Sequence, residues 1–355
     1  AEGRWEVEGG MWVEADCNLS GGESLARQFL YGQRFFAKEF GKRCRVLWLP
    51  DVFGYSAALP QLMKLSGVDY FMTTKLSWSE YNLTPYDTFM WKGIDGTKVF
   101  THLNKTHVWP DPKTLTDYVV NGNDCIREKT VSDKRLISYG FGDGGGGPQF
   151  EMIEMARREK DLEGVPCAEH VLVGDFMKEL EATSHNVSEY SGELYLELHR
   201  GTLTTNHDMK KLNRTLENAL KDAELICAGT GDFAGKDETD RCYDVLLLNQ
   251  FHDILPGTCI KEVYDTAKEQ ERSAIAALEN RFFRGERLLN TLSSARREVI
   301  LNDCSGEQSF KDFDGNEKSH RVQEKCGFVY DHTEYDVPTR LENDFRTEHF
   351  SKIEK

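Results

Sequence analysis

Residues 44–55 read Cys-Arg-Val-Leu-Trp-Leu-Pro-Asp-Val-Phe-Gly-Tyr. The first six are almost wholly apolar and stop at Pro50, which predicts a short strand buried on both faces. An acid, Asp51, follows at once. The pattern then repeats. Residues 59–66 have helical spacing and end at Gly67, and Tyr70–Thr73 and Lys98–Leu103 read as further strands. Residues 136–139 lead into a glycine-rich stretch, and residues 149–158 read as the next helix. Strand, loop and helix in alternation predict an α/β architecture, a parallel sheet with crossover helices, as an open sheet or a barrel. In either form the loops beyond the carboxyl ends of the strands carry the ligand site, which makes Asp51 a candidate.

Beyond about residue 200 the periodicity changes. Residues 210–228, 240–251 and 261–289 repeat apolar side chains at helical spacing, with Pro256-Gly257 between the last two. Three helices with short connections predict a bundle. From about residue 298 the chain turns polar and irregular, so the expected organisation is 1–200 as α/β domain, 201–295 as helical bundle and 296–355 as an irregular segment with a few strands or loops and little core.

Composition narrows the function. With 355 residues, 39% hydrophobic, the chain can build a sizeable core. Its 44 Lys+Arg against 60 Asp+Glu give a formal net charge of −16, which argues against nucleic acid or an anionic membrane surface as partner. No run approaches the roughly 20 apolar residues of a transmembrane helix. The nine cysteines are scattered, with no C-x-x-C pair, and suggest reduced thiols in a cytoplasmic protein. The five N-x-S/T sequons are read as chance occurrences. The opening Ala-Glu-Gly-Arg-Trp has neither initiator Met nor signal region, as expected of a processed start or of part of a longer chain.

Three stretches could carry chemistry. In residues 49–55 (LPDVFGY), Asp51 stands between aromatic and apolar neighbours suited to the C–H face of a sugar, though a turn Asp capping the next helix would look alike. In residues 139–148 (YGFGDGGGGP), Asp143 is the one acid among glycines that permit close backbone approach; a plain surface loop is the competing reading. The Gly-Lys-Ser/Thr ending of a phosphate-binding loop is absent, since Pro148-Gln149 follows. In residues 248–258 (LNQFHDILPGT), His252 and Asp253 end an apolar helix, where a histidine can be structural or functional. Two carboxylates, one nucleophilic and one acid/base, are what retaining glycoside hydrolysis needs, but residue types alone leave that weak.

Taken together, these stretches resemble glycoside hydrolase family 38, the retaining α-mannosidases. Residues 10–18 (GMWVEADCN) with Gly22-Glu23-Ser24 are similar to the family's loop before the nucleophile strand, and residues 49–55 to its nucleophile motif. Residues 139–148, 192–202 (GELYLELHRGT) and 246–258 are similar to the branch of bacterial and cytosolic-type enzymes. The resemblance runs from about residue 1 to 290. It implies an incomplete (β/α)7-type barrel followed by a three-helix bundle and the start of a β-rich region, which residues 340–350 resemble.

It also implies roles. Asp51 would be the nucleophile, forming a covalent mannosyl-enzyme, and a ligand of a Zn2+ ion that His252 also holds. Asp143 would be the general acid/base, with its carboxyl about 5–5.5 Å from that of Asp51. Asp253 would bind sugar hydroxyls, Phe53 would stack on the ring and Lys75 would be a basic contact. The substrate would be a mannose-containing oligosaccharide, and a homo-oligomer is compatible with the reading. The family's His-x-Asp pair of zinc ligands matches nothing in this chain and is expected upstream of Ala1. With two ligands left, weak zinc binding or none is expected. A zinc-dependent carbohydrate deacetylase and a non-catalytic sugar-binding remnant are the competing readings.

Overall fold

The computed structural model describes residues 3, 5–122, 125–142, 145–231, 233–283, 300–304 and 307–311. Its strands are β1 (Val46–Trp48), β2 (Gly54–Tyr55), β3 (Tyr70–Thr73), β4 (Thr88–Lys92), β5 (Lys98–Leu103), β6 (Lys105–Val108), β7 (Ile137–Tyr139), β8 (Glu189–Ser191), β9 (Leu194–Tyr195), β10 (Ile300–Cys304) and β11 (Glu307–Lys311). The α-helices are α1 (Gly22–Phe40), α2 (Leu59–Leu65), α3 (Pro112–Thr116), α4 (Phe150–Arg158), α5 (Val173–Thr183), α6 (His207–Thr230), α7 (Lys236–Asn249) and α8 (Lys261–Leu278). The chain divides into one compact unit of residues 1–224 and 232–281 and a second of 225–231 and 282–355. In the second, β10 and β11 form an antiparallel hairpin.

In the first unit a five-stranded sheet runs β1-β3-β5-β4-β8. β1 pairs parallel with β3 and β3 parallel with β5, as the alternation predicts. β4 departs from the expected pattern: it joins β5 antiparallel. The cause is local. Gly93 N–H donates to Thr97 O, Asp95 Oδ1 accepts from Thr97 N–H, and Gly96 takes φ +88°, closing a tight hairpin. β5 continues past Asn104 into β6, which pairs parallel with β7. Asn104 ties three strands together: its N–H donates to Thr73 O, its Oδ1 accepts from Thr74 Oγ1 and its Nδ2 donates to Ser138 Oγ.

The core lies between this sheet and its helices. Phe71, Phe89 and Trp91 are fully buried on the sheet, and α1 adds Leu25 and Phe29. Each contributes about 1.5–3 kcal/mol through removal of apolar surface from water. α1 sits close because Gly32 has no side chain: a Cβ there would lie 2.3 Å from the Met11 carbonyl carbon. α7 begins four residues before the periodic stretch because Gly235 caps it and Asp237 and Glu238 suit its positive end. It ends at Asn249, so His252 lies in the turn beyond. α8 stops at Leu278 and continues as a wider turn to Phe283; residues 284–289 of the expected helix lie outside the described residues. No described helix is long and apolar enough to cross a membrane.

α8 also buries an acid. Glu271 is fully inaccessible and neither of its oxygens has a hydrogen-bond partner. The Glu217 carboxylate of α6, whose Oε1 accepts from Gly21 N–H, Ser24 Oγ and Gln250 Nε2, is itself an acceptor with no proton to donate. Burial, reinforced by the Glu217 charge, pushes Glu271 up to about 8 from an ordinary 4.5. The folded state therefore keeps a proton that the unfolded chain has lost between those values. Stability from this group is full below about pH 4.5 and is lost as pH rises through about 8. Denaturant unfolding at several pH values should show Glu271→Gln with a flatter decline across that window than the wild type; parallel curves would refute the assignment.

Candidate active site

Asp51 lies three residues past β1, at the carboxyl end of the parallel strands. Leu49 N–H still donates to Met72 O, so the chain leaves the sheet only at Pro50. Two elements then close on the Asp51 carboxylate. The turn Lys75–Trp78, directly after β3, brings Lys75 Nζ to 2.5 Å from Oδ1. From the other side His252 Nε2 stands 3.3 Å from Oδ2. Burial acts to raise the Asp51 pKa, but the hydrogen bonds and charges of His252 and Lys75 outweigh it and hold it at about 2.

His252 arrives through main-chain pairing. Asp16 N–H donates to Gln250 O at 2.8 Å and His252 N–H to Glu14 O at 3.0 Å, and Ala15 and Phe251 form an antiparallel bridge. The His252 Nδ1 also lies 3.0 Å from Glu14 O, which assigns the proton to Nδ1. Nε2 then faces Asp51 either as the second N–H of an imidazolium or as a lone pair needing a cation between them. Burial pulls the His252 pKa down, but Asp51 and Glu14 win and raise it above its ordinary value. The Glu14 pKa is itself raised, first by burial, with His252 opposing and Asp51 and Asp253 reinforcing.

The remaining expected residues fall around this pair. Asp253 Oδ2 is 3.9 Å from His252 Nε2, while its Oδ1 accepts from Thr258 Oγ1 at 2.6 Å. Phe53 is buried, with the His199 ring at 4.7 Å and the His252 ring edge-on at 5.9 Å. Lys75 is buried against aromatic rings, 4.0 Å from the Trp78 centroid and 5.2 Å from that of Phe53. Its ammonium is committed to Asp51. Asp143 lies outside the described residues. Sequence reasoning did not single out Glu14, His199 or Trp78. Glu14 and His199 lie in stretches quoted for the resemblance and reach the site through partners remote in sequence, whereas Trp78 reaches it through Lys75 of its own turn.

One further contact orders the rim. The Glu197 carboxylate accepts from the backbone N–H groups of Glu80, Tyr81 and Asn82 and from Asn82 Nδ2. These donors, the Tyr81 amide foremost, keep the Glu197 pKa below its usual value.

Asp51 and His252 are donor types that zinc takes. Among the described residues, however, no group of three His, Cys, Asp or Glu side chains is placed to hold a metal ion. These two donors alone do not complete a zinc site.

With a carboxylate held ionised at a strand end, the comparisons with known proteins are specific. Residues 1–193 match the N-terminal domain of glycosyl hydrolases family 38, and residues 197–284 the alpha mannosidase middle domain. Alpha-mannosidase G of Dictyostelium discoideum is 39% identical over 281 residues, covering 78% of this chain and 26% of that protein. The alpha-mannosidase of Saccharomyces cerevisiae is 42% identical over 72% of this chain and 25% of its own length. Human alpha-mannosidase 2C1 is 40% identical over 75% and 26%. The chain thus spans about a quarter of the curated relatives it matches. The crystal structure of an alpha-mannosidase from Enterococcus faecalis V583 shares the fold, with a TM-score of 0.65 at 18% identity over 83% of this chain and 37% of that one. Matched over more than half its length by the family's N-terminal domain, the chain belongs to glycosyl hydrolases family 38.

Proposed function

We propose that this chain forms the nucleophile side of a retaining α-mannosidase acting on mannose-containing oligosaccharides. The observation that carries the reading is Asp51: a carboxylate at a parallel strand end, held ionised by Lys75 and His252 and still 40% exposed along its side chain. An ionised, accessible oxygen can attack the anomeric carbon. The carbon–oxygen bond to the leaving sugar then breaks, and that oxygen takes a proton from a general acid, the role proposed for Asp143. Water, deprotonated by the same acid/base, releases mannose and restores Asp51. Asp253 and Glu14 beside His252 would meet sugar hydroxyls, and Phe53 would back the site.

The names of the matched alpha-mannosidases support the substrate class. The in-order parallel pairing of β1, β3 and β5, and of β6 with β7, supports reading these strands as staves of an incomplete (β/α)7-type barrel, with α6, α7 and α8 as the bundle. The acidic charge and free thiols suit a cytoplasmic protein.

Hydrolysis of an aryl α-mannoside tests the nucleophile. In a polypeptide joining this chain to the further length its relatives have, Asp51→Asn should lower kcat by at least about a thousandfold, as loss of a nucleophile does. An activated fluoromannoside should leave its label on the Asp51 peptide; near-normal turnover, or a label elsewhere, would remove Asp51 from the role. Zinc is tested separately. The 355-residue polypeptide, offering Asp51 and His252, should retain well under one zinc ion per chain after dialysis. One equivalent by elemental analysis would show that this chain completes the site.

A further inference from the structure

Trp78 has no place in the chemistry proposed for Asp51, yet it stands one side chain away from it. It ends the turn that begins at Lys75 and is 49% exposed. The Lys75 ammonium lies over one face of its ring at 4.0 Å and holds Asp51 Oδ1 at 2.5 Å. Even with the ammonium over one face, the residue stays half exposed. An indole left in water beside a charged centre contributes little to the core and keeps an unfavourable apolar surface hydrated.

The loop that follows is not loose. Ser79 N–H donates to Leu76 O at 3.3 Å, and the next three amides converge on the Glu197 carboxylate. Glu197 opens the turn Glu197–Leu203, which also carries His199 onto Phe53. One carboxylate thus pins the exposed tryptophan relative to the residues around Asp51. Tyr81, 83% exposed, extends the aromatic rim.

We infer that Trp78 is the stacking platform for the sugar unit next to the one cleaved, and that Glu197 is its positioning residue. This rests on the mannoside reading of the Asp51 centre. Pyranose rings present flat C–H faces, and aromatic side chains bind them by dispersion and apolar burial while polar groups fix orientation. The Lys75 ammonium contacts both the indole and Asp51, so the indole meets the neighbouring unit rather than the reacting one.

Binding tests this without turnover in the polypeptide that joins this chain to the further length of its relatives, carrying Asp51→Asn throughout, so that wild type below means unchanged at Trp78 and Glu197. Methyl α-mannoside, an α-linked mannobiose, maltose and diacetylchitobiose would each be titrated by NMR against wild type, Trp78→Ala, Trp78→Phe and Glu197→Gln, with thermal melts to confirm folding. Mannobiose should bind wild type about three- to tenfold more tightly than methyl α-mannoside. Trp78→Ala should abolish that advantage, weakening mannobiose several-fold more than methyl α-mannoside; Trp78→Phe should keep most of it. Glu197→Gln should melt like wild type and lose part of it. Equal loss for both sugars in Trp78→Ala, or no loss, would overturn the platform and leave the mannoside reading standing. A Trp78-dependent advantage confined to maltose or diacetylchitobiose would instead overturn the mannoside reading. Absence of binding by every sugar would overturn both.

Discussion

The histidine side of the Asp51 site depends on a short main-chain seam between residues 14–16 and 250–252. Two hydrogen bonds, Asp16 N–H to Gln250 O and His252 N–H to Glu14 O, join a loop near the start of the chain to the turn after α7. Gln28 of α1 reinforces both sides, accepting from Val13 N–H and donating to Leu247 O and Gln250 Oε1. Gln250 in turn donates to Asn213 and Glu217. Amide groups fully buried in this way are costly unless paired, so the network has few alternative arrangements. The helical region delivers its histidine to the sheet through this seam.

Electrostatics at the site follow from what the seam brings together. Glu14, Asp51 and Asp253 gather around His252, with Lys75 opposite. Acids so close compete for the same cations. Asp51, with two partners, is held at about 2, while Glu14, where burial and like charges outweigh His252, is raised. Two carboxylates thus acquire different proton affinities from their surroundings alone.

Local signals were enough for some of this. The apolar run before Pro50, the strand at Tyr70–Thr73 and Asp51 beyond a strand end were legible because burial and chain direction are written in short windows. His252 and Asp253 were legible as a pair at a helix end, and the family motifs assigned them roles. The β4–β5 hairpin was not, since 88–92 has no strict alternation and its turn signal, Asp95-Gly96, was passed over. α1 escaped because its buried face mixes glutamines and serine with leucine and phenylalanine. Glu14 and His199 lie in stretches quoted for the family resemblance, but their place at the site is made by contacts across the chain, Glu14 through its carbonyl to His252 and His199 through its ring on Phe53.

The Glu197 cradle carries a consequence for variation. Three of its four donors are main-chain amides, so the frame of residues 80–82 is largely indifferent to which side chains those positions carry. Substitutions at Tyr81 can alter what the rim offers to a ligand while the loop stays in place. A protein built this way can explore new ligand preferences at the rim by point mutation, at little risk to the core or to the groups on Asp51.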